Sequence, residues 1–200
     1  MKKHIVSILL ILTRPVLLSA DNWKADDRVE MRGPSSGLWF SSTVKNVEGN
    51  TYYVLSDGWN EDEVSECDES FLRAVTKNEQ IAIRKGGSVW ATVGADGRIR
   101  IGGNIVGEFS DDGTVRKSGN IVGKIEYTGN IRKGGNLVGA VEPMGDIRRG
   151  GNIIAGFAGA DGTIRLSGSI WGKLENFSKK WRDVRAAMAV LAFFSADFGY

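Results

Sequence analysis

The chain has 200 residues, a formal net charge of +2, one histidine (His4) and one cysteine (Cys67). A single histidine at the N-terminus leaves no imidazole for a Ser-His-Asp triad or a histidine-ligated zinc site in the rest of the chain. A single cysteine excludes a disulfide within the chain and a multi-cysteine metal site. Without a histidine to activate it, Cys67 is not expected to act as a nucleophile.

The first twenty residues, MKKHIVSILLILTRPVLLSA, have the layout of a signal peptide. Two lysines precede an apolar run that ends at Leu12, and a small residue, Ala20, closes the segment. Arg14 and Pro15 interrupt the apolar stretch, which leaves it shorter than a bilayer-spanning helix. We therefore predict that the protein is exported to the periplasm or the cell surface. The alternative is an ordinary apolar N-terminal strand or anchor.

Residues 21–80 form an acidic module, with six Lys and Arg against thirteen Asp and Glu. Short runs that alternate between apolar and polar residues are separated by turn signals at Gly33-Pro34, Glu48-Gly49-Asn50 and Asp57-Gly58. This pattern predicts a small antiparallel barrel of four or five strands. The acidic run over 61–69 is interpreted as a solvated edge that discourages strand pairing, because it lacks the spacing of a calcium-binding loop.

A longer pattern covers residues 23–75. Its matching positions are Trp39-Phe40, Thr43-Val44, Tyr53-Val54, Asp57-Gly58-Trp59, Glu63-Val64 and Leu72-Arg73. In order and spacing they resemble a Tudor/Agenet-type SH3-like barrel. The resemblance implies an aromatic cage that binds a methylated ammonium group by cation–π attraction. The implied cage consists of Trp39, Phe40, Tyr53 and Trp59, with Asp57 or Glu61 as the anionic partner. The alternative is that these aromatic residues form the core of the barrel.

Residues 81–177 contain six units of about sixteen residues, as in RIRIGGNIVGEFSDDG followed by TVRKSGNIVGKIEYTG. Each unit has an Ile-Arg run and a second alternating run, such as Ile105 to Phe109. Gly-Gly or Ser-Gly separates the two runs, and Asp-Gly or a related pair separates the units. Such dipeptides suit type I′ hairpin turns. The units therefore predict twelve short strands, in which the Ile positions pack on a common core, and an all-β fold.

Two arrangements fit a sixteen-residue unit: a ring of hairpins or a β-solenoid. One arginine recurs at the same position of every unit, as Arg84, Arg100, Arg116, Arg132, Arg148 and Arg165. A solenoid would stack these like charges directly, which is destabilising, so we favour the ring. The segment over 82–178 resembles a bacterial β-flower repeat domain. This resemblance implies a fold but no activity.

The arginine column has two interpretations. As a cationic surface it would bind an anionic envelope polymer or the acidic module. As a structural feature, each arginine would cover apolar surface with its stem and donate hydrogen bonds to turn carbonyls. The net charge of residues 81–177, thirteen basic against nine acidic residues, is too small to predict nucleic-acid binding.

Residues 178–200 predict a helix. Ser178 is a candidate N-cap, and Trp181, Val184, Met188 and Leu191 recur at helical spacing. Because the segment over 186–194 is apolar on almost every side, we expect it to dock on the core of the repeats. Membrane contact through residues 179–194 is the alternative.

Together these patterns predict an exported, non-enzymatic protein without a metal or organic cofactor. Its domains would be a signal peptide (1–20), a Tudor/SH3-like barrel (21–80), a repeat domain (81–177) and a helical tail (178–200). The predicted function is to bind a cationic, protein or peptide ligand in the cell envelope through the aromatic residues of the barrel. The alternative is a structural protein that assembles through the surface of its repeats.

Overall fold

The structure, a computed structural model, describes residues 23–157 and 161–200. Within these ranges the fold is all-β, with a closed antiparallel barrel, a separate five-stranded sheet and one α-helix. The signal peptide predicted for residues 1–20 lies outside the described residues. No helix in the described part of the chain is both long and apolar enough to cross a bilayer.

The acidic module forms the separate sheet. Its elements are β1 (Arg28–Arg32), β2 (Trp39–Glu48), β3 (Thr51–Ser56), β4 (Ser65–Cys67), a 3₁₀ turn (Glu69–Phe71) and β5 (Leu72–Ala74). The strand order is β4-β3-β2-β1-β5, so the last strand returns to pair with the first. One face buries a small core of Val29, Met31, Val44, Tyr52, Val54 and Leu72. Alternation along β3, and along β2 as far as Val44, places their buried side chains on the same side. A β-bulge interrupts the alternation of β2 after Val44.

The repeat segment forms the barrel. Its strands are β6 (Ile81–Lys85), β7 (Ser88–Val93), β8 (Arg98–Ile101), β9 (Asn104–Phe109), β10 (Thr114–Lys117), β11 (Asn120–Ile125), β12 (Asn130–Lys133), β13 (Asn136–Val141), β14 (Asp146–Arg149), β15 (Asn152–Phe157), β16 (Thr163–Leu166) and β17 (Ser169–Glu175). Consecutive strands pair antiparallel, and β17 closes the barrel on β6. The chain therefore forms the ring of hairpins rather than the solenoid.

The barrel has two ends with different turns. At one end the Gly-Gly turns take positive φ at both residues, as at Gly102 (56°) and Gly103 (83°), which is the type I′ geometry. At the other end only the glycine of Asp-Gly does so, as at Gly97, so the Asp-Gly turns are not type I′. There the Asp96 side chain instead accepts a hydrogen bond from the Arg98 N–H. A Cβ at position 97 would clash with the Phe109 carbonyl oxygen.

Each hairpin contains a β-bulge in its second strand. In the β8–β9 hairpin, Ile99 pairs with Gly107 but Arg100 pairs with Ile105, which leaves Val106 as the extra residue. The bulge reverses the alternation, so Ile105 faces solvent instead of the core. The prediction that all Ile positions pack inward is therefore wrong for the position that follows the Asn, or in the first and last hairpins the Ser, after each Gly-Gly or Ser-Gly turn. The isoleucine of the Ile-Arg run packs inward as predicted, since Ile99 is fully buried.

The helix α1 (Trp181–Phe194) fills the barrel. Every residue from Asp183 to Ala192 is buried, and the helix shares one continuous core with inward residues such as Ile99, Val115 and Ile131. A helix that is apolar on every side requires such an enclosed position. Because the helix is buried, it presents no apolar face to solvent for the membrane contact suggested for residues 179–194. Ser178 does not cap the helix; its hydroxyl donates to the Asp183 carboxylate at 2.7 Å.

Candidate binding site

The sheet and the barrel meet at the Asp-Gly end of the barrel, around the first turn of α1. The Phe40 and Trp181 rings pack with centroids 5.7 Å apart, and the Trp181 indole N–H donates to the Tyr127 carbonyl at 2.6 Å. The Trp39 N–H donates to the Lys179 carbonyl at 2.8 Å, which joins β2 to the chain just before the helix. These contacts fix the orientation of the sheet on the barrel.

A buried charge cluster strengthens this junction. The Glu30 carboxylate, 2% exposed as a residue, accepts hydrogen bonds from Arg73 Nε at 2.7 Å and lies 2.8 Å from Lys180 Nζ. Lys180 Nζ also donates to the Thr76 carbonyl at 2.6 Å. Burial alone would raise the pKa of Glu30, but the hydrogen bonds from Lys180 and Arg73 outweigh it and hold that pKa below its usual value.

Arg185 anchors the helix to the turns at the same end. Its guanidinium is buried and donates to the carbonyls of Ile125, Glu126 and Asp111, and it stacks 4.1 Å from the Tyr127 ring centroid. Burial lowers the pKa of Arg185. The planar fork of arginine suits this position, because it satisfies several converging carbonyl oxygens at once.

An apolar groove of about 370 Å³ lies between the sheet and the barrel. We call it the Trp59 groove. Its apolar lining is Met31, Pro34, Phe40, Trp59, Pro143 and Met144. Trp59 is 43% exposed and Met144 is 65% exposed, so both present apolar surface to solvent. Such an exposed apolar concavity is typical of a binding site.

Two glutamates also line the Trp59 groove. The Glu142 carboxylate lies 2.6 Å from Arg148 Nε, which neutralises much of its charge. Glu63 accepts a hydrogen bond from the Asn60 N–H at 2.9 Å and has no lysine or arginine partner among the described residues. The groove therefore combines an exposed indole with one uncompensated carboxylate, the two groups that attract an organic cation.

A second cavity, of about 350 Å³, lies on the other side of β2 and is lined by charged groups. Its cations and anions are largely paired with each other, as in the two 2.7 Å hydrogen bonds from Arg28 to Asp57. This pairing leaves few free groups for a ligand.

The structure divides the predicted cage residues between different places. Phe40 and Trp59 line the Trp59 groove, whereas Trp39 faces the other side of β2, with the Arg73 guanidinium 4.0 Å from its ring centroid. Tyr53 lies away from both cavities, near Glu48, and Asp57 is engaged by Arg28. Consecutive side chains of a strand point to opposite faces. Phe40 nevertheless lines both cavities, and it shares the second one with Trp39 and Asp57. The predicted aromatic residues thus do not surround one common space.

Sequence reasoning missed the barrel side of the groove. Pro143 and Met144 belong to the β13–β14 turn, where the other units have Asp-Asp, Tyr-Thr or Ala-Asp before the glycine. A proline and a large apolar residue at these positions depart from the pattern of the other units. That departure was the available sequence signal for residues that line the groove.

The arginine column lies on the outer face of the barrel. Arg84, Arg116, Arg132, Arg148 and Arg165 each donate to the carbonyl of the last glycine of their own turn. Three of the column also pair with a glutamate, namely Arg84, Arg132 and Arg148. The hydrogen bonds to turn carbonyls expected from the structural interpretation are therefore present for these five arginines, and they do not exclude further use of the charge.

We expect Cys67 to react slowly with thiol reagents in the folded protein. Burial, with a smaller contribution from Asp68, raises the pKa of its thiol to about 11, which leaves little thiolate at neutral pH. Labelling with an aromatic disulfide reagent at about pH 8 should be roughly a hundredfold slower than in guanidinium. Equal rates in the two conditions would contradict this assignment.

Fold and groove together define a two-module all-β protein with a candidate ligand groove between its modules. Comparison with family models, with curated proteins and with solved structures finds no match for this chain. In residues 23–157 and 161–200, no group of three or more histidine, cysteine or acidic side chains is placed to hold a metal ion.

Proposed function

We propose that this chain is an exported, non-enzymatic binding protein of the bacterial cell envelope whose Trp59 groove takes a cationic or peptidic ligand. The observation that carries the proposal is the exposed Trp59 indole beside the uncompensated Glu63 carboxylate in an apolar groove of about 370 Å³. The layout of residues 1–20 supports export.

The strand order of the N-terminal sheet supports the Tudor/SH3-like assignment. A meander of four strands is followed by a 3₁₀ turn and a fifth strand that pairs with the first. In this proposal the ligand does not enter a cage formed by the sheet alone. It lies between the sheet and the β13–β14 turn, where Met144 lines the groove together with Trp59.

The proposed binding mode favours a lysine-containing or methyl-lysine-containing peptide. A methylated ammonium group over Trp59 would gain about 0.5–2 kcal/mol from cation–π attraction. Glu63 would contribute a charge-assisted contact, and the methionine and proline side chains would pack on the aliphatic part of the peptide.

The test is a titration of the full chain with a trimethyllysine peptide, followed by tryptophan fluorescence and by calorimetry. We expect Trp59→Ala to weaken binding at least tenfold, as for a central aromatic contact, with little change in the thermal melt because the side chain is half-exposed. Tyr53→Ala is the matched control, since Tyr53 lies outside the groove and should leave affinity unchanged.

A second variant separates charge recognition from apolar packing. Glu63→Gln should weaken the trimethyllysine peptide but not its isosteric peptide with a neutral tert-butyl group. If neither peptide binds, or if Trp59→Ala binds as well as the wild type, the proposal fails. If Tyr53→Ala abolishes binding and Trp59→Ala does not, the ligand site is on the other side of the sheet.

A further inference from the structure

A ring of aliphatic side chains encircles the Gly-Gly end of the barrel. At the outward position after the turn of each hairpin in the described residues stands one exposed valine, isoleucine or leucine. These residues, which we call the aliphatic ring, are Val89, Ile105, Ile121, Leu137, Ile153 and Ile170. Their exposures lie between 48% and 67%. Neighbouring members are two strands apart, about 10 Å.

Folding does not require apolar residues at this position. Each side chain lies on the outer face and is about half exposed or more, so it is not part of the core. β-Branching favours strands, but Leu137 is not β-branched and occupies the same place. Single apolar residues scattered over a surface are common, whereas six exposed apolar side chains at one height of the barrel together form an extended apolar band, the kind of surface that protein or membrane contacts use.

The arginine column stands directly beside the aliphatic ring. Each aliphatic residue is the cross-strand partner of the arginine of its own hairpin, for example Arg100 with Ile105 and Arg116 with Ile121. Arg100, Arg116 and Arg165 have no carboxylate partner among the described residues, and neither has Lys117. The ring is therefore both apolar and cationic.

The Gly-Gly turns themselves are uncovered at this end of the barrel. A Cβ added at the turn glycines, such as Gly102, Gly103 and Gly135, would meet no atom within 4 Å. The N-terminal sheet covers the opposite end, around the start of α1. Beneath these turns the C-terminal residues close the interior of the barrel, where Phe198 is fully buried. Arg149 donates to the Phe198 and Gly199 carbonyls, and Asp197 pairs with Lys85.

We propose that the Gly-Gly end of the barrel binds the surface of an anionic lipid bilayer. The aliphatic ring would enter the boundary between headgroups and acyl chains, and the arginine column would contact the phosphates. Charge complementarity selects this occupant over a second copy of the chain. Two copies meeting through this end would bring two cationic rings together, which repel each other. The proposal does not depend on the ligand of the Trp59 groove.

The test is co-sedimentation of the full chain with vesicles of phosphatidylglycerol and phosphatidylcholine in equal parts, and with vesicles of phosphatidylcholine alone. We expect binding to the anionic vesicles that weakens at high salt and at least tenfold weaker binding to the neutral ones. The triple variant Ile105→Ser/Ile121→Ser/Leu137→Ser should bind the anionic vesicles at least tenfold more weakly. Its control is Val75→Ser, at an exposed valine outside the ring.

A charge variant tests the contribution of the arginine column. Arg100→Gln/Arg116→Gln should weaken binding at least tenfold, whereas Arg98→Gln/Lys45→Gln, which removes the same charge elsewhere, should not. Residues 1–22 are identical in all variants, so any contribution they make cancels in each comparison. Unchanged binding by the ring variants, or no binding by the wild type, overturns the proposal. Self-association measured without vesicles identifies the other occupant. If the wild type self-associates but does not bind vesicles, and the ring variants no longer self-associate, the ring binds a second copy and the proposal is overturned.

Discussion

Replacement of Lys180 by methionine is expected to destabilise the folded protein by about 3–5 kcal/mol. The change leaves the Glu30 carboxylate, which is almost fully buried, with Arg73 as its only cationic partner. It also removes the donor that satisfies the Thr76 carbonyl. The free energy of unfolding from urea titration measures this effect.

A double variant distinguishes pair breaking from loss of packing. Lys180→Met/Glu30→Met removes both charges, so no buried carboxylate is left without its partner. We expect it to be more stable than Lys180→Met alone, because the interaction between two contacting charges is not additive. A Lys180→Met protein within about 1 kcal/mol of the wild type would contradict the assigned role of the pair.

The same cluster predicts an acid sensitivity. The pKa of Glu30 is lower in the folded than in the unfolded state, so the folded state binds fewer protons at this group. Its stabilisation is fully present above the unfolded pKa, about 4.3, and is lost as the pH falls through the folded pKa. In Glu30→Gln this loss should be absent, which makes its stability less dependent on pH in the acid range. Parallel curves for the two proteins would contradict the assignment.

Ile131→Ala is expected to cost about 2–5 kcal/mol, whereas Ile121→Ala should change stability by less than about 0.5 kcal/mol. Ile131 is fully buried against the helix core, and its truncation leaves a cavity in a closed barrel that has little room to relax. Ile121 is 63% exposed on the outer face. The two substitutions remove the same atoms from neighbouring hairpins, so the comparison isolates the effect of position.

This pair of variants also tests the β-bulge. If the second strand of each hairpin continued its alternation, Ile121 would point inward with Gly123 and Ile125. Similar losses of stability for Ile131→Ala and Ile121→Ala would mean that both side chains are in the core. That result would remove the aliphatic ring as well, because the ring depends on the register shift between Val115 and Arg116.

The aromatic residues of the acidic module illustrate how far sequence reasoning reached. The order of Trp39, Tyr53, Asp57 and Trp59 predicted short strands and turns in the right part of the chain, and the structure has strands there. It did not predict which rings share a space. That depends on which face of β2 each side chain occupies and on the β13–β14 turn, about eighty residues away. A pattern within one segment carries no information about such a distant neighbour.

By itself, the sequence determined the short strands, the glycine turns and the apolar helix of this protein. These features depend on local chemistry: the two-residue period of a strand, the positive φ that glycine accepts, and the burial required by a helix that is apolar on almost every side. The tertiary structure was needed to show that the helix fills the barrel, that the bulge turns Ile105 outward, and that Met144 and Trp59 line the same groove. Closure of the barrel fixes these positions, and closure depends on all the hairpins together.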